Sequence, residues 1–137
     1  MTRINVVPID DNLENTILMG EYHEITRVYA LVRNLQNSNR TVKIPDDYVL
    51  GKGHVTFFYN KLGYINKRYI ELANELKKRN YNINVIPLES LNEGLDKKWF
   101  GDYVPTKNAI NLNLERLEFS RARSLLKRIE KKKKNEL

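Results

Sequence analysis

Residues 17–35 carry the strongest structural signal in the chain, ILMGEYHEITRVYALVRNL. Apolar side chains recur there at spacings of three and four, which predicts one long amphipathic helix. The Asp-Asp-Asn run at residues 10–12 offers capping groups before this helix, and Asn-Ser-Asn at residues 37–39 ends it with side chains that compete for backbone hydrogen bonds. Residues 1–9 precede the helix as an irregular or extended arm.

Two further helices follow from the same kind of periodicity. Residues 56–76 predict a second helix that ends at the cationic step of residues 77–80, where positive charge complements the helix dipole. A third helix is predicted to start near residues 106–108 and to fray into the run Lys131 to Lys134. We expect it to bury one side, formed by Ile110, Leu114, Leu117, Leu125 and Ile129.

The connections between these helices are long. Residues 43–48 predict a turn into a short helix, and Gly-Lys-Gly at residues 51–53 predicts a permissive loop. Residues 81–106 predict a long ordered loop that carries the only tryptophan, Trp99, and a loop of that length in a small domain suggests a function. The sequence predicts an all-α fold, a single compact domain of three main helices with long connecting loops.

Positive charge is concentrated at the C-terminal end. The formal net charge of the 137 residues is +7, and from Arg121 onward eight basic residues face two glutamates, a balance of 8 − 2 = +6. Residues 1–120 carry the remaining +1, so we divide the chain into a body, 1–120, and a basic helix end with a Lys-rich tail, 121–137, within the same domain. The tail is either a solvated charge run or a docking surface for a polyanion.

Several site classes are disfavoured by composition. With no cysteine and two histidines, the chain has neither a disulfide framework nor a thiolate metal site, and we expect no metal or other cofactor. It contains no apolar run of membrane-spanning length, and its first residues lack the apolar stretch of a signal peptide. We expect a cytoplasmic protein with no membrane partner.

Two residues are candidates for catalysis. If Met1 is removed, Thr2 presents an α-amine, which ordinarily titrates near 7.7 to 8.0 and so is partly uncharged and nucleophilic at neutral pH. The alternative is that Thr2 is an ordinary chain end. Glu24 lies mid-helix, three residues before Arg27, and is either an exposed carboxylate in an i, i+3 pair or a pocket carboxylate that moves protons and stabilises positive charge.

The two histidines are open to more than one interpretation. His23 neighbours Glu24 in sequence but not on its helix face, and it is either a surface residue or a phosphate contact. His54 follows the glycine loop and precedes three aromatic residues, Phe57, Phe58 and Tyr59. Packing or capping is the favoured role for His54, and core packing is the favoured role for the aromatic residues.

Several segments taken together resemble the bacteriophage endonuclease V family, the pyrimidine-dimer DNA glycosylases. They occur in the family's order, at nearly its spacing, over residues 1 to about 118. The matching pieces are Met1-Thr-Arg-Ile-Asn5, Leu18-Met-Gly-Glu-Tyr-His-Glu-Ile25 with Arg27-Val28, Gly53-His-Val-Thr-Phe-Phe-Tyr59 with Lys61-Leu62, Lys67-Arg68, Ile70-Glu-Leu72, and Gly101-Asp-Tyr103 with Pro105.

This resemblance implies an all-α glycosylase with coupled abasic lyase activity that uses no cofactor. It implies that the amine of Thr2 attacks C1′ at a cyclobutane pyrimidine dimer, that Glu24 is the essential carboxylate, and that β-elimination then cuts the strand. The partner is double-stranded DNA, kinked at the lesion with a base flipped out, bound by a monomer. The resemblance implies that Arg3 and Arg27 hold phosphates and the sugar, and that Arg116 is a further basic contact. To these predicted DNA-binding residues we add His23, and Arg121 and Arg123 from the basic C-terminal segment.

Departures from the family's pattern cluster around recognition. His23 stands where the family usually has arginine, Thr16 and Ile17 stand where a glutamine and a histidine are familiar, and a basic segment replaces an aromatic C-terminus. Two alternatives therefore stay open: a glycosylase and lyase for a different damaged or modified base, and a non-catalytic DNA-binding protein of the same fold.

Overall fold

The computed structural model describes residues 2–136 of the chain. Within that range it is helical and contains no strand; Lys61 and Phe100 form an isolated antiparallel bridge. This confirms the predicted all-α class. The helices are α1 (Asn15–Ile25), α2 (Arg27–Ser38), α3 (Leu62–Lys78), the single-turn α4 (Leu88–Leu91) and α5 (Lys107–Glu136).

The first predicted helix is present as two helices. α1 and α2 meet at Thr26, whose backbone stays near helical values, φ −67° and ψ −16°. The predicted periodicity is confirmed by burial, and α1 packs against α3. The buried apolar residues of α1 and α2 are Leu18, Tyr22, Ile25, Val28, Tyr29, Val32 and Leu35. As predicted, α2 ends at the Asn-Ser-Asn run, where Asn39 takes a left-handed conformation with φ 57°.

The segment before α3 differs from the prediction. Residues 43–48 form no helix, and the helix predicted for residues 56–76 begins only at Leu62, preceded by a separate 3-10 turn at Thr56–Phe58. This turn places Phe57 and Phe58 in the core. Both are fully buried against Tyr48, in edge-to-face contacts with ring centroids 6.1 Å apart. The predicted core position is confirmed for Phe57 and Phe58, while Tyr59 is partly buried and packs against the core.

The long loop of residues 81–106 is ordered by contacts with α2 and with the start of α3. Gln36 accepts hydrogen bonds from the Trp99 indole and the Asp96 amide, both at 2.9 Å. Gly101 lies so close to Asn60 that a β-carbon would stand 2.3 Å from the Asn60 carbonyl oxygen. Only glycine fits at residue 101, and the loop is thereby fixed beside the first turn of α3.

α5 corrects the prediction for the third helix in two ways. Its buried face is Ala109, Asn113 and Leu117, while three residues predicted to be buried, Leu114, Leu125 and Ile129, are exposed. The helix also continues through the lysine run to Glu136 instead of fraying there. The prediction followed the apolar residues of the whole helix, but α5 extends beyond the body, and from Ala122 to Asn135 every described side chain is exposed.

No helix within residues 2–136 has the length and apolar character needed to cross a bilayer. α5 crosses the boundary between residues 1–120 and 121–137 without a break.

Candidate active site

The N-terminal arm is irregular, as predicted, and its residues Ile4 to Val7 are almost completely buried, each 4% exposed or less. Because these residues belong to no helix or sheet, their backbone groups need other partners. Side chains supply these partners. The side-chain oxygen Oδ1 of Asn113 accepts hydrogen bonds from the backbone amides of Val6 and Val7 at 2.6 and 3.0 Å. The Tyr48 hydroxyl donates to the Ile4 carbonyl at 3.2 Å.

His54 holds the arm two residues from Thr2. The Ile4 amide donates to His54 Nε2 at 2.9 Å, and Nδ1 of the same ring lies 2.8 Å from the Val49 carbonyl oxygen. These two contacts require a neutral ring with its proton on Nδ1, because Nε2 must accept. Burial lowers the pKa of His54 below its usual value, and Arg116 acts in the same direction. His54 is therefore buried, as its favoured packing role predicted, and it also accepts a hydrogen bond from the arm.

A buried ion pair lies beneath the arm. Arg68 on α3 and Glu21 on α1 form two hydrogen bonds of 2.9 Å, and their side chains are 4% and 1% exposed. Burial opposes the charge on Arg68, but Glu21 outweighs it, so the pKa of Arg68 is raised. Arg68 also donates to the Val7 carbonyl at 2.6 Å, and Asn5 donates to Glu21 at 3.1 Å. The arm and two helices thus share one polar network.

This anchoring leaves Thr2 at a cationic cavity. Thr2 is partly buried and lines a cavity of about 410 Å³ between the arm, the glycine loop and α5. Its lining within the described chain includes no carboxylate and four basic residues, Arg3, Arg116, Arg123 and Lys127. Three of the predicted DNA-binding residues, Arg3, Arg116 and Arg123, are thereby brought together with Thr2. The predicted removal of Met1 lies outside the described residues.

Glu24 lines an adjoining cavity of about 250 Å³ rather than the cavity that Thr2 lines. Arg3 and Arg116, together with Ser120 and Ser124, line both cavities. Burial lowers the pKa of Arg116, and its guanidinium donates a hydrogen bond to Asn5. The two predicted catalytic residues therefore line adjoining cavities that have Arg3 and Arg116 in common.

The other predicted contact residues lie farther out. Arg27 is exposed and stands 3.8 Å from Glu24, as the i, i+3 spacing predicted. His23 is exposed beside Tyr22 and lines neither cavity. Arg121 is engaged within the protein, donating two hydrogen bonds of 2.6 Å to Glu14, which hold the pKa of Glu14 below its usual value.

Sequence reasoning missed the residues that position the arm. Asn5, Glu21, Arg68 and Asn113 are all buried polar residues, and each resembles an ordinary surface residue in sequence. Asn113 carried a usable signal, because it lies four residues from both Ala109 and Leu117 and so shares their helix face. Within residues 2–136, no group of three or more His, Asp or Glu side chains could hold a metal ion.

The chain was compared with models of known protein families. The family model described as pyrimidine dimer DNA glycosylase matches residues 1–86. The match includes the arm, α1, α2, His54 and α3, and therefore Thr2, Arg3, His23, Glu24 and Arg27. Arg116, Arg121 and Arg123 lie on α5, outside the matched range.

Proposed function

The chain belongs to the pyrimidine dimer DNA glycosylase family, and we propose that it joins glycosylase to abasic lyase chemistry through an imine between the Thr2 amine and sugar C1′. Family membership establishes an enzyme of DNA repair that acts on DNA. This membership favours catalysis over the non-catalytic alternative. The imine, the β-elimination and the individual roles below belong to the proposal.

One observation carries the proposal: Thr2 lines a cavity with four cationic side chains, at the end of an arm held by buried hydrogen bonds. Cations attract the DNA backbone to this cavity. They also disfavour a further positive charge, and so favour the uncharged, nucleophilic form of an amine placed there. Fixing the arm lowers the entropic cost of bringing the amine to the sugar.

The proposed reaction proceeds in four steps. The Thr2 nitrogen attacks C1′, and the glycosidic bond breaks with its electron pair leaving on the base. The sugar ring opens as C1′ and the nitrogen form an imine. Loss of a C2′ proton breaks the bond between C3′ and its oxygen, and the phosphate leaves with the electron pair. Water then hydrolyses the imine and restores the amine.

Glu24 is the proposed carboxylate of this reaction. From the adjoining cavity it would stabilise positive charge on the sugar as the base leaves and would relay protons during imine formation and elimination. Arg3 and Arg116, which line both cavities, are suited to hold the phosphates on either side of the sugar. Arg123 is a further proposed phosphate contact at the Thr2 cavity, and Arg27 and His23 are proposed outer contacts, of a monomer bound to kinked duplex DNA.

Borohydride trapping tests the mechanism, because reduction of the imine leaves a stable covalent adduct. Three duplexes are compared: one with a thymine dimer, one with an abasic site and one undamaged, with the mature N-terminus established by mass spectrometry. We expect adducts on the first two, mapped to the Thr2 nitrogen. A protein with a confirmed free Thr2 amine that forms no adduct on either damaged duplex would overturn the imine mechanism.

The matched pair Glu24→Gln and Glu115→Gln isolates the carboxylate, since Glu115 is an exposed glutamate of α5. Glu24→Gln should lower the single-turnover rate on the dimer duplex by about a hundredfold or more while leaving much of the binding. Glu115→Gln should turn over normally. Equal rates for the two variants would remove Glu24 from the mechanism.

A second substrate is favoured by one specific observation. Thr16 and Ile17, which depart from the family's pattern, line the same cavity as Glu24. A glycosylase and lyase for a different damaged or modified base is therefore the alternative. Adducts on the abasic duplex but none on the dimer duplex would favour it, and a panel of single-lesion duplexes would identify the base.

A further inference from the structure

The outer half of α5 carries much of the positive charge of the chain, and none of its described side chains is buried. It runs from Ala122 to Glu136, and its described side chains, as far as Asn135, are all exposed. At 1.5 Å per residue, the helix extends about 27 Å from Arg116 to Lys134. Because the helix is unbroken, side chains on its outer half keep a fixed angular relation to those that line the Thr2 cavity.

The basic residues of α5 are not distributed evenly around it. With about 100° between successive residues, five of them fall within an arc of about 80°. Three of the five already line the cavity with Thr2, and the other two continue the same face outward. The five, here called the cationic stripe, are Arg116, Arg123, Lys127, Lys131 and Lys134. The outer cationic stripe is the part of it formed by Lys127, Lys131 and Lys134. Glu130 borders this part, and the three lysines leave it with a net positive charge.

The other basic residues of the outer half point elsewhere. On the same helical geometry Arg128, Lys132 and Lys133 fall outside the arc of the cationic stripe. Leu126 and Ile129 also fall outside it, and both are exposed. The cationic stripe is therefore defined by where basic residues fall around the helix and not by how many basic residues the helix carries.

We propose that the outer cationic stripe binds backbone phosphates of the duplex that flanks the lesion, beyond the nucleotide held in the cavity. The partner is double-stranded DNA of any sequence, because lysine ammonium groups read phosphate and carry no base code. The distance from Arg123 to Lys134, about 16 Å along the helix, corresponds to about five phosphates of one strand at 3.4 Å each. This inference rests on the proposed function, which places the damaged nucleotide at the Thr2 cavity.

Charge position and charge number make different predictions for binding. A mobile lysine tail would attract DNA according to its total charge. A stripe held on one face of a helix engages phosphates with that face, and the remaining cations contribute a weaker, long-range attraction. Two variants that remove the same charge from different faces therefore distinguish the two cases.

The test compares full-length Lys127→Gln/Lys131→Gln/Lys134→Gln with the matched control Arg128→Gln/Lys132→Gln/Lys133→Gln. Both remove three positive charges, and glutamine retains a helix propensity close to that of lysine and arginine. Binding to an undamaged 25-base-pair duplex is measured by fluorescence anisotropy over a range of salt concentrations, and circular dichroism checks the helix. Undamaged DNA keeps this test independent of the Thr2 chemistry.

We expect the stripe variant to lower the magnitude of the salt slope of log K by about two to three, since each lost phosphate contact accounts for about 0.9. Its affinity at ~0.1 M salt should fall on the order of tenfold to a hundredfold, and the control should change far less. Equal losses in both variants would overturn the oriented stripe, and no loss in either would remove the flanking contact.

A second measurement connects the stripe to the cavity. Abasic duplexes are shortened stepwise on either side of the abasic site, and borohydride trapping is measured at limiting protein. Wild-type trapping should weaken when one flank falls below about five base pairs, the axial length that corresponds to the roughly 16 Å from Arg123 to Lys134. The stripe variant should lose that dependence. If it keeps the wild-type dependence on flank length, the placement is wrong; if wild-type protein traps no duplex, the proposed function fails and the anisotropy result still stands.

Discussion

The arm and the outer half of α5 are opposites in how they are held. Residues 4–7 have no regular secondary structure and are almost completely buried, whereas Ala122 to Asn135 form regular helix and are exposed. The helix forms its backbone hydrogen bonds within itself and needs no side chain of another segment to supply them. The arm obtains its hydrogen bonds from side chains of distant segments, among them Asn113 and Arg68. The position of Thr2 therefore depends on a few buried polar residues, while the shape of the outer helix depends on no single side chain.

The largest effect is expected from breaking the ion pair beneath the arm. Arg68→Met leaves Glu21 as a buried charge without its partner, so the free energy of unfolding should fall by about 3–5 kcal/mol. Chemical denaturation measures this loss. Borohydride trapping under folding conditions should also weaken, because the Val7 carbonyl loses its donor.

Lys67→Met is the matched control for Arg68→Met. Lys67 is the preceding residue on α3, and it pairs with Asp102 on the surface, where both side chains are more than 60% exposed. Solvent screens such a pair, so stability should change little. A loss for Arg68→Met as small as that of the control would show that the Arg68–Glu21 pair does not hold the arm.

A smaller and pH-dependent effect is expected at His54. Its folded-state pKa lies below the ordinary value of 6.5, so the unfolded chain binds the proton more readily. The contribution of the neutral ring is complete above about pH 6.5, declines as the pH falls below that value, and is lost once the pH passes the folded-state pKa. The melting temperature should therefore decrease between pH 7 and pH 5.

Two variants isolate this effect. His54→Leu leaves the Ile4 amide buried without an acceptor, which should cost about 1–3 kcal/mol at neutral pH, and it should remove the pH-dependent component. His23→Gln replaces the exposed histidine and should keep the wild-type pH dependence. The opposite assignment of the pH dependence to these two variants would contradict the neutral-ring hydrogen bond.

The same contrast explains what the sequence could predict. Periodicity identified the helical class and the buried face of α1 and α2, because local spacing determines which side of a helix is apolar. Thr2, Arg3, Arg116 and Arg123 share one cavity, which spacing did not predict; the family resemblance pointed to Thr2, Arg3 and Arg116, and the basic charge of the C-terminal segment to Arg123. The arm's partners escaped prediction because they are polar and distant; Val6 and Asn113 are 107 positions apart in the sequence. The predicted burial of Leu117 on α5 is confirmed. The predicted burial of Leu125 and Ile129 was wrong because apolar spacing does not reveal where a helix leaves the body.

The smallest effect is expected on the outer half of α5, where one matched pair tests the error in the predicted face. Leu117 and Leu125 were both predicted to be buried, but Leu117 is 4% exposed and Leu125 is 57% exposed. Leu125→Ala should change the free energy of unfolding by about 0.5 kcal/mol or less, since alanine also favours the helix. Leu117→Ala removes core packing on the same helix and should cost about 2–5 kcal/mol. A cost at Leu125 comparable to that at Leu117 would mean that the outer helix packs against a surface in solution, and the contrast between an anchored arm and a free helix would fail.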